Sequence, residues 1–332
     1  MKSVCTITMI AASVMAASNA HAQASGYRIS KVFHISGAGG WDYLAVHENK
    51  LFVSHGTEVN ILDKNTGDSL GIIPNTTGVH GIAFVPESGR GYVSNGKLNN
   101  LTVFDLKTNA VLMHIPVGQN PDAIMYESFT KKIIVCNGKS NDLSVVDPQT
   151  GAVSATIPVG GKPETAVSDG KGKLFVNIED KSEIAVVDLQ RKTVEKHWSV
   201  SPGKEPTGLV YDAVRKRLYA GCDELLVVLD AATGKAIQKI KIGEGCDGVA
   251  YDDERKLIFT SNGSGTMSII REKGGKYELL EELPTKKGAR TLTLDASTHA
   301  IYMSTADLGE IPPGGKRPAA VPGTFQVLVV KK

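Results

Sequence analysis

An all-β fold of seven repeated four-stranded units is what this sequence predicts, and three observations predict it. The first is a period. A short apolar run ending in a small residue, a polar residue and usually glycine occurs seven times: LFVSHG (51–56), GYVSNG (91–96), IIVCNG (133–138), LFVNIE (174–179), LYAGCD (218–223), IFTSNG (258–263) and IYMSTA (301–306). Aligned on Phe52, Tyr92, Ile134, Phe175, Tyr219, Phe259 and Tyr302, successive copies lie 40, 42, 41, 44, 40 and 43 residues apart. A fixed period in this range marks an array of one supersecondary unit. The second observation is the content of the unit. The second copy holds four β-like runs separated by turn residues, HGIAFV (80–85), RGYVSN (90–95), NLTVFD (100–105) and AVLMHIP (110–116), and no segment after residue 22 carries a helical apolar period. The third is a recurring turn between the third and fourth runs: DKNTG at 63–67, DPQTG at 147–151 and DAATG at 230–234. There Asp caps its own turn through the side chain and Gly takes the positive φ.

A four-stranded unit of this length repeated seven times is the blade of a seven-bladed β-propeller, whose ring leaves only short, protected sheet edges. Taken in chain order, RISKVFHIS (28–36) is a strand with no blade of its own. After IYMSTA only one further strand remains, TFQVLVV (324–330), so the seventh blade lacks its outer strand. The N-terminal strand is expected to complete it, because an open solenoid would need capping repeats and the sequence has none. Residues 23–332 are therefore read as one propeller domain.

Residues 1–22 read as a signal peptide: Lys2, an apolar stretch over 4–17, and the cleavage motif Ala20-His21-Ala22. The apolar stretch is too short to span a bilayer. The protein is expected in the periplasm or outside the cell, beginning near Gln23, as a monomer without a membrane span. With 37 Lys and Arg against 35 Asp and Glu, the chain lacks the basic footprint of a nucleic-acid or anionic-lipid binder. The hairpins ESFTKK, DGKGK, DAVRKR and DDERK mix both charges and do not form the basic, aromatic-studded groove that single-stranded nucleic acid requires.

The GYVSNG-type runs, the D-x-x-T-G turns and the G-x-x-P that opens repeats (GQNP at 118–121, GGKP at 160–163, GKEP at 203–206) resemble the YVTN-repeat propellers of the YncE-like family over residues 28–330. The resemblance implies a secreted seven-bladed propeller. It implies no single activity, since similar blades occur in lactonases, lyases and accessory subunits.

Blade geometry places the start of the innermost strand and the end of the second strand on one face. The starts give Asp42, His80, Asp122, Glu164, Thr207, Asp247 and Arg290; the ends give His55, Asn95, Asn137, Ile178, Cys222, Asn262 and Thr305, with Asn177, Glu179 and Asp223 beside them. Four carboxylates around one channel raise one another's pKa unless a cation compensates. Arg290 is one internal compensator, and a divalent metal is another. Asp42, Asp122, Glu164 and Asp247, with Asn95, Asn137, Asn177 and Asn262, suit a hard ion such as calcium or magnesium, whereas His55, His80 and Cys222 suit zinc or copper. The mouth is expected to bind a small-molecule ligand, a metal ion or a partner protein. The alternatives are a metal-dependent lactonase or lyase, with His55 or His80 as base and Arg290 opposite developing negative charge, and single-stranded nucleic-acid binding. Trp41 and Tyr43 are expected as mouth walls. His34, His114, His197 and His299 fall elsewhere. A loop at 306–323 emerges on the same face, as a lid or as a structureless excursion. Cys222 and Cys246, on neighbouring blades, could form a disulfide that leaves Cys136 a thiol. Mass spectrometry of the exported protein should find Gln23 at its amino end; a retained Met1 would contradict the leader reading.

Overall fold

The structure, a computed structural model, describes residues 25–311 and 318–332; the expected leader lies outside the described residues. It contains seven antiparallel four-stranded sheets arranged as blades. The innermost strands of blades 1 to 7 are Trp41–His47, Val79–Val85, Pro121–Glu127, Pro163–Ser168, Gly208–Asp212, Cys246–Asp252 and Leu292–Asp295. Helical structure among the described residues is confined to two short 3₁₀ turns, Pro86–Ser88 and Glu179–Lys181. No helix there is long and apolar enough to cross a membrane.

Burial explains the apolar runs. The second and third strands, such as Arg90–Asn95 and Asn100–Asp105, are buried at nearly every position. The outermost, Val111–Pro116, is exposed except at Ile115. A blade is covered on both faces by its neighbours, so its middle strands are apolar without alternation. Seven apolar clusters follow, one in each seam between blades. In the seam of blades 1 and 2, Phe52, Val59 and Ile61 meet Ile82, Val93 and Phe104.

The ring closes as the sequence predicts. Arg28–His34 pairs antiparallel with Gln326–Lys331 as the outer strand of blade 7, with Phe33 opposite Val327. Its docking uses the recurring turn. Asp63 Oδ1 accepts the N–H groups of Asn65 and Thr66 at 2.8 and 3.0 Å. Gly67, at φ 82°, lies so close beneath Phe33 that a Cβ would stand 2.3 Å from the ring. Gly234 receives Trp198 of the preceding blade in the same way, at 2.2 Å. The turn glycine thus leaves room for the neighbouring blade as well as taking the positive φ.

A second device joins blades near the axis. In five of the seven repeated runs the small polar residue donates to a carbonyl at the start of the next blade. Ser54 Oγ donates to His80 O (2.5 Å), Ser94 Oγ to Asp122 O, Asn177 Nδ2 to Gly208 O (3.0 Å), Ser261 Oγ to Arg290 O (2.5 Å) and Ser304 Oγ to Asp42 O (3.3 Å). Thr207 Oγ1 makes the analogous bond to Cys246 O at 2.7 Å. Leaving such a buried carbonyl unpaired costs about 1–3 kcal/mol. Ser94→Ala should lower unfolding stability by that amount in urea titration; an unchanged midpoint would show that the bond contributes nothing.

Candidate functional site

The innermost strands of blades 1, 2, 3, 4 and 6 each open with a β-bulge. Trp41 pairs with His55, Val79 with Asn95, Pro121 with Asn137, Pro163 with Ile178 and Cys246 with Asn262, after which the register shifts. The residue after each paired one is Asp42, His80, Asp122, Glu164 or Asp247. A bulge re-aims the side chain that it carries, and the serine bonds described above hold several of these backbones in place.

Three contact groups make up the ring. In the first, His80 Nδ1 lies 2.5 Å from Asp42 Oδ2 and 3.8 Å from Asp122 Oδ1. One ligand atom from each of Asp42, His80 and Asp122 falls within a 4.8 Å set. Gly96 backs the imidazole, and a Cβ there would come within 2.6 Å of His80 Nε2. In the second group, Lys162 Nζ pairs with Glu164 Oε1 at 2.6 Å and also with Glu179. In the third, Arg290 pairs with Asp247 and donates to Trp41 O at 3.1 Å. Tyr43 lies amid the fields of Asp122, Glu164, Asp42 and Asp247, four carboxylates from four blades.

Asp122 stands apart. It is 8 % exposed, and its carboxylate accepts no hydrogen bond from the described residues. Burial, and then the Asp42 charge, push its carboxyl up to about 7. Burial and the Asp122 charge raise Glu164 well above the usual carboxylate range. For His80, burial favours the neutral ring, but the bond to Asp42 and the charges of Asp122 and Asp42 outweigh it and raise its pKa. Burial likewise opposes charge on Lys162 and Arg290, and their carboxylate partners reverse that. The ring therefore holds surplus acid, and burial with mutual repulsion favours the protonated forms of Asp122 and Glu164.

The second, wider ring differs from the sequence expectation. Asn95, Asn137 and Asn262 are fully buried. Their amides donate to the third strand of their own blades, Asn95 to Asn100 and Thr102, Asn137 to Asp142 and Ser144, and Asn262 to Thr266 and Ser268. Asn177 is engaged with Gly208 O. His55 stacks on Phe325 with ring centroids 3.9 Å apart, and burial lowers its pKa. The structure does not bring it into the donor cluster, because the closing blade covers it. Cys136, Cys222 and Cys246 are buried free thiols, so the structure contains no Cys222–Cys246 bridge. Cys222 Sγ turns to Ala220 O and Cys246 Sγ to Gly248 O. Trp41 hydrogen-bonds Gly288 O at 3.2 Å and packs on Phe325 in the seam of blades 7 and 1. Lys162 is a ring member that the sequence reading missed. It stood only as a turn residue of GGKP, and its position two residues before Glu164 was the available signal. In the 306–323 loop, the described flanks pair through Leu308 and Ala320, and Lys286 holds Asp307 at 2.5 Å; residues 312–317 lie outside the described residues.

No protein-family model and no curated protein matches the chain. Among solved structures, a chain of hydrazine synthase from Kuenenia stuttgartiensis is similar, with a TM-score of 0.72 and 15% identity, over 81% of this chain and 94% of that one. At that identity the likeness shows the fold, a seven-bladed propeller, which is a general binding or scaffold architecture.

A carboxyl whose pKa is raised in the folded state stabilises the fold below its unfolded pKa and loses that contribution as pH rises through its folded value. Asp122, Glu164 and His80 all act in this direction. Calorimetry should show the melting temperature falling as pH rises from 5 to 8, with Asp122→Asn shrinking the fall. An equal pH dependence in the variant would mean that Asp122 does not titrate in this window.

Proposed function

We propose that this propeller is a binding module whose channel mouth takes up a cation, either a divalent metal ion or the cationic end of a small ligand, between Asp42, His80 and Asp122. The observation that carries the reading is Asp122: a buried carboxylate with no hydrogen bond, converging with a second carboxylate and an imidazole. Every basic group nearby is already engaged, Lys162 with Glu164 and Glu179, Arg290 with Asp247, and His80 with Asp42. A bound cation would supply the missing charge and release the protons held at Asp122 and His80, since metal ligands bind deprotonated. The mixed nitrogen and oxygen donors fit a transition ion better than an all-oxygen calcium site. The YncE-like resemblance and export to the periplasm remain our reading of the repeats and the leader.

A second reading, a metal-dependent lactonase or lyase, draws support from the Asp42–His80 pair, a base with its orienting carboxylate. Arg290, the group expected opposite developing negative charge, is engaged by Asp247 and Trp41 O, so binding is favoured. Calorimetric titration with Mn²⁺ and Zn²⁺ at pH 8 should give one site per chain. Asp122→Asn and His80→Ala should each weaken binding at least tenfold, and the affinity should fall toward pH 6. Absence of a stoichiometric site would overturn the metal form of the proposal.

A further inference from the structure

We infer that the cation suited to this channel is the ammonium group of a small amine with a compact apolar body. The inference rests on the cation-binding reading and adds the class of ligand. Its basis is a cavity of about 180 Å³ whose wall includes the residues next in sequence to four members of the ring. The cavity wall starts one residue after each ring residue of blades 1 to 4: Tyr43 after Asp42, Gly81 after His80, Ala123 after Asp122 and Thr165 after Glu164. Ile82, Ile124, Met125, Ile134, Cys136 and Ala166 are among its other lining residues, and no charged side chain lines it. Blades 1, 3 and 4, which bring Asp42, Asp122 and Glu164 to the mouth, and blade 2, which brings His80, therefore also line the chamber.

Size and charge together select the ligand. An apolar cavity of about 150 Å³ is large enough to admit benzene, so this one accommodates a six-membered ring or a short branched chain. A bare metal ion leaves the chamber unused, and an anion is repelled by the mouth. A neutral hydrocarbon leaves the acidic surplus uncompensated. An ammonium group offers three N–H donors to the mouth, where the Asp122 carboxylate lacks one, while its apolar substituent enters the chamber beside Tyr43.

Calorimetric titration of the mature chain at pH 8 with benzylamine, methylamine and benzyl alcohol tests this, with Mn²⁺ as the reference cation. Benzylamine should bind roughly tenfold to a hundredfold tighter than methylamine, the gain expected from burying a ring, and benzyl alcohol should bind no better than methylamine. Ala166→Leu, which fills the chamber wall, should erase the preference for benzylamine over methylamine while leaving Mn²⁺ binding intact. Equal affinities for benzylamine and methylamine in the wild-type protein would overturn the inference without any variant. So would Mn²⁺ binding with no response to any amine, which leaves the cation reading standing. No binding of Mn²⁺ or amine would overturn both.

Discussion

The bond from the second strand of one blade to the first carbonyls of the next is the constraint on which this propeller depends. Ser54, Ser94, Ser261 and Ser304 each donate to the backbone oxygen of a channel residue: His80, Asp122, Arg290 and Asp42. The bond joins blades where they come closest, at the axis. It also fixes the backbone of the residues whose side chains form the mouth. A change at the serine would loosen the ring and the site together, which is why one position of the repeat serves both.

Holding those backbones has an electrostatic consequence. Carboxylates from blades 1, 3, 4 and 6 are kept near one another and near Tyr43, and they cannot spread apart to relieve repulsion. Two relief mechanisms are present. Lys162 and Arg290 neutralise Glu164, Glu179 and Asp247 by contact. Asp122 makes no contact pair with either; the charges of His80 and Lys162 only partly offset its burial, and its carboxyl is pushed up to about 7. Ionising a buried carboxyl close to other acids is expensive, so the site favours the protonated form of Asp122 when no cation is bound.

The period and the turns were enough to read the fold, because seven copies of one unit admit few closed arrangements. Counting strand starts also placed Asp42, His80, Asp122, Glu164 and Asp247 together, since the bulges keep those residues in register with the repeat, and Arg290 just ahead of the innermost strand of blade 7. The strand ends misled because a strand end has two faces. Asn95, Asn137 and Asn262 point to the third strand, and a sequence signal for this exists: Thr102, Ser144 and Ser268 sit inside otherwise apolar third strands and need buried partners. The placement of His55 was not legible, since Phe325, which covers it, arrives from the far end of the chain when the ring closes. Neighbouring positions for Cys222 and Cys246 suggested a bridge, but each thiol turns to a carbonyl of its own blade. The apolar chamber has no signature beyond ordinary core residues.

The central claim is that burial, and then the Asp42 charge, raise the Asp122 carboxyl to about 7, and that a bound cation lowers it again. Carbon NMR of the Asp122 carboxyl through a pH titration measures this directly, repeated with Mg²⁺ or benzylamine present. The account predicts a midpoint near the value of about 7 in the free protein and a lower one when a cation is bound. A midpoint in the ordinary aspartate range, unmoved by any cation, would contradict it.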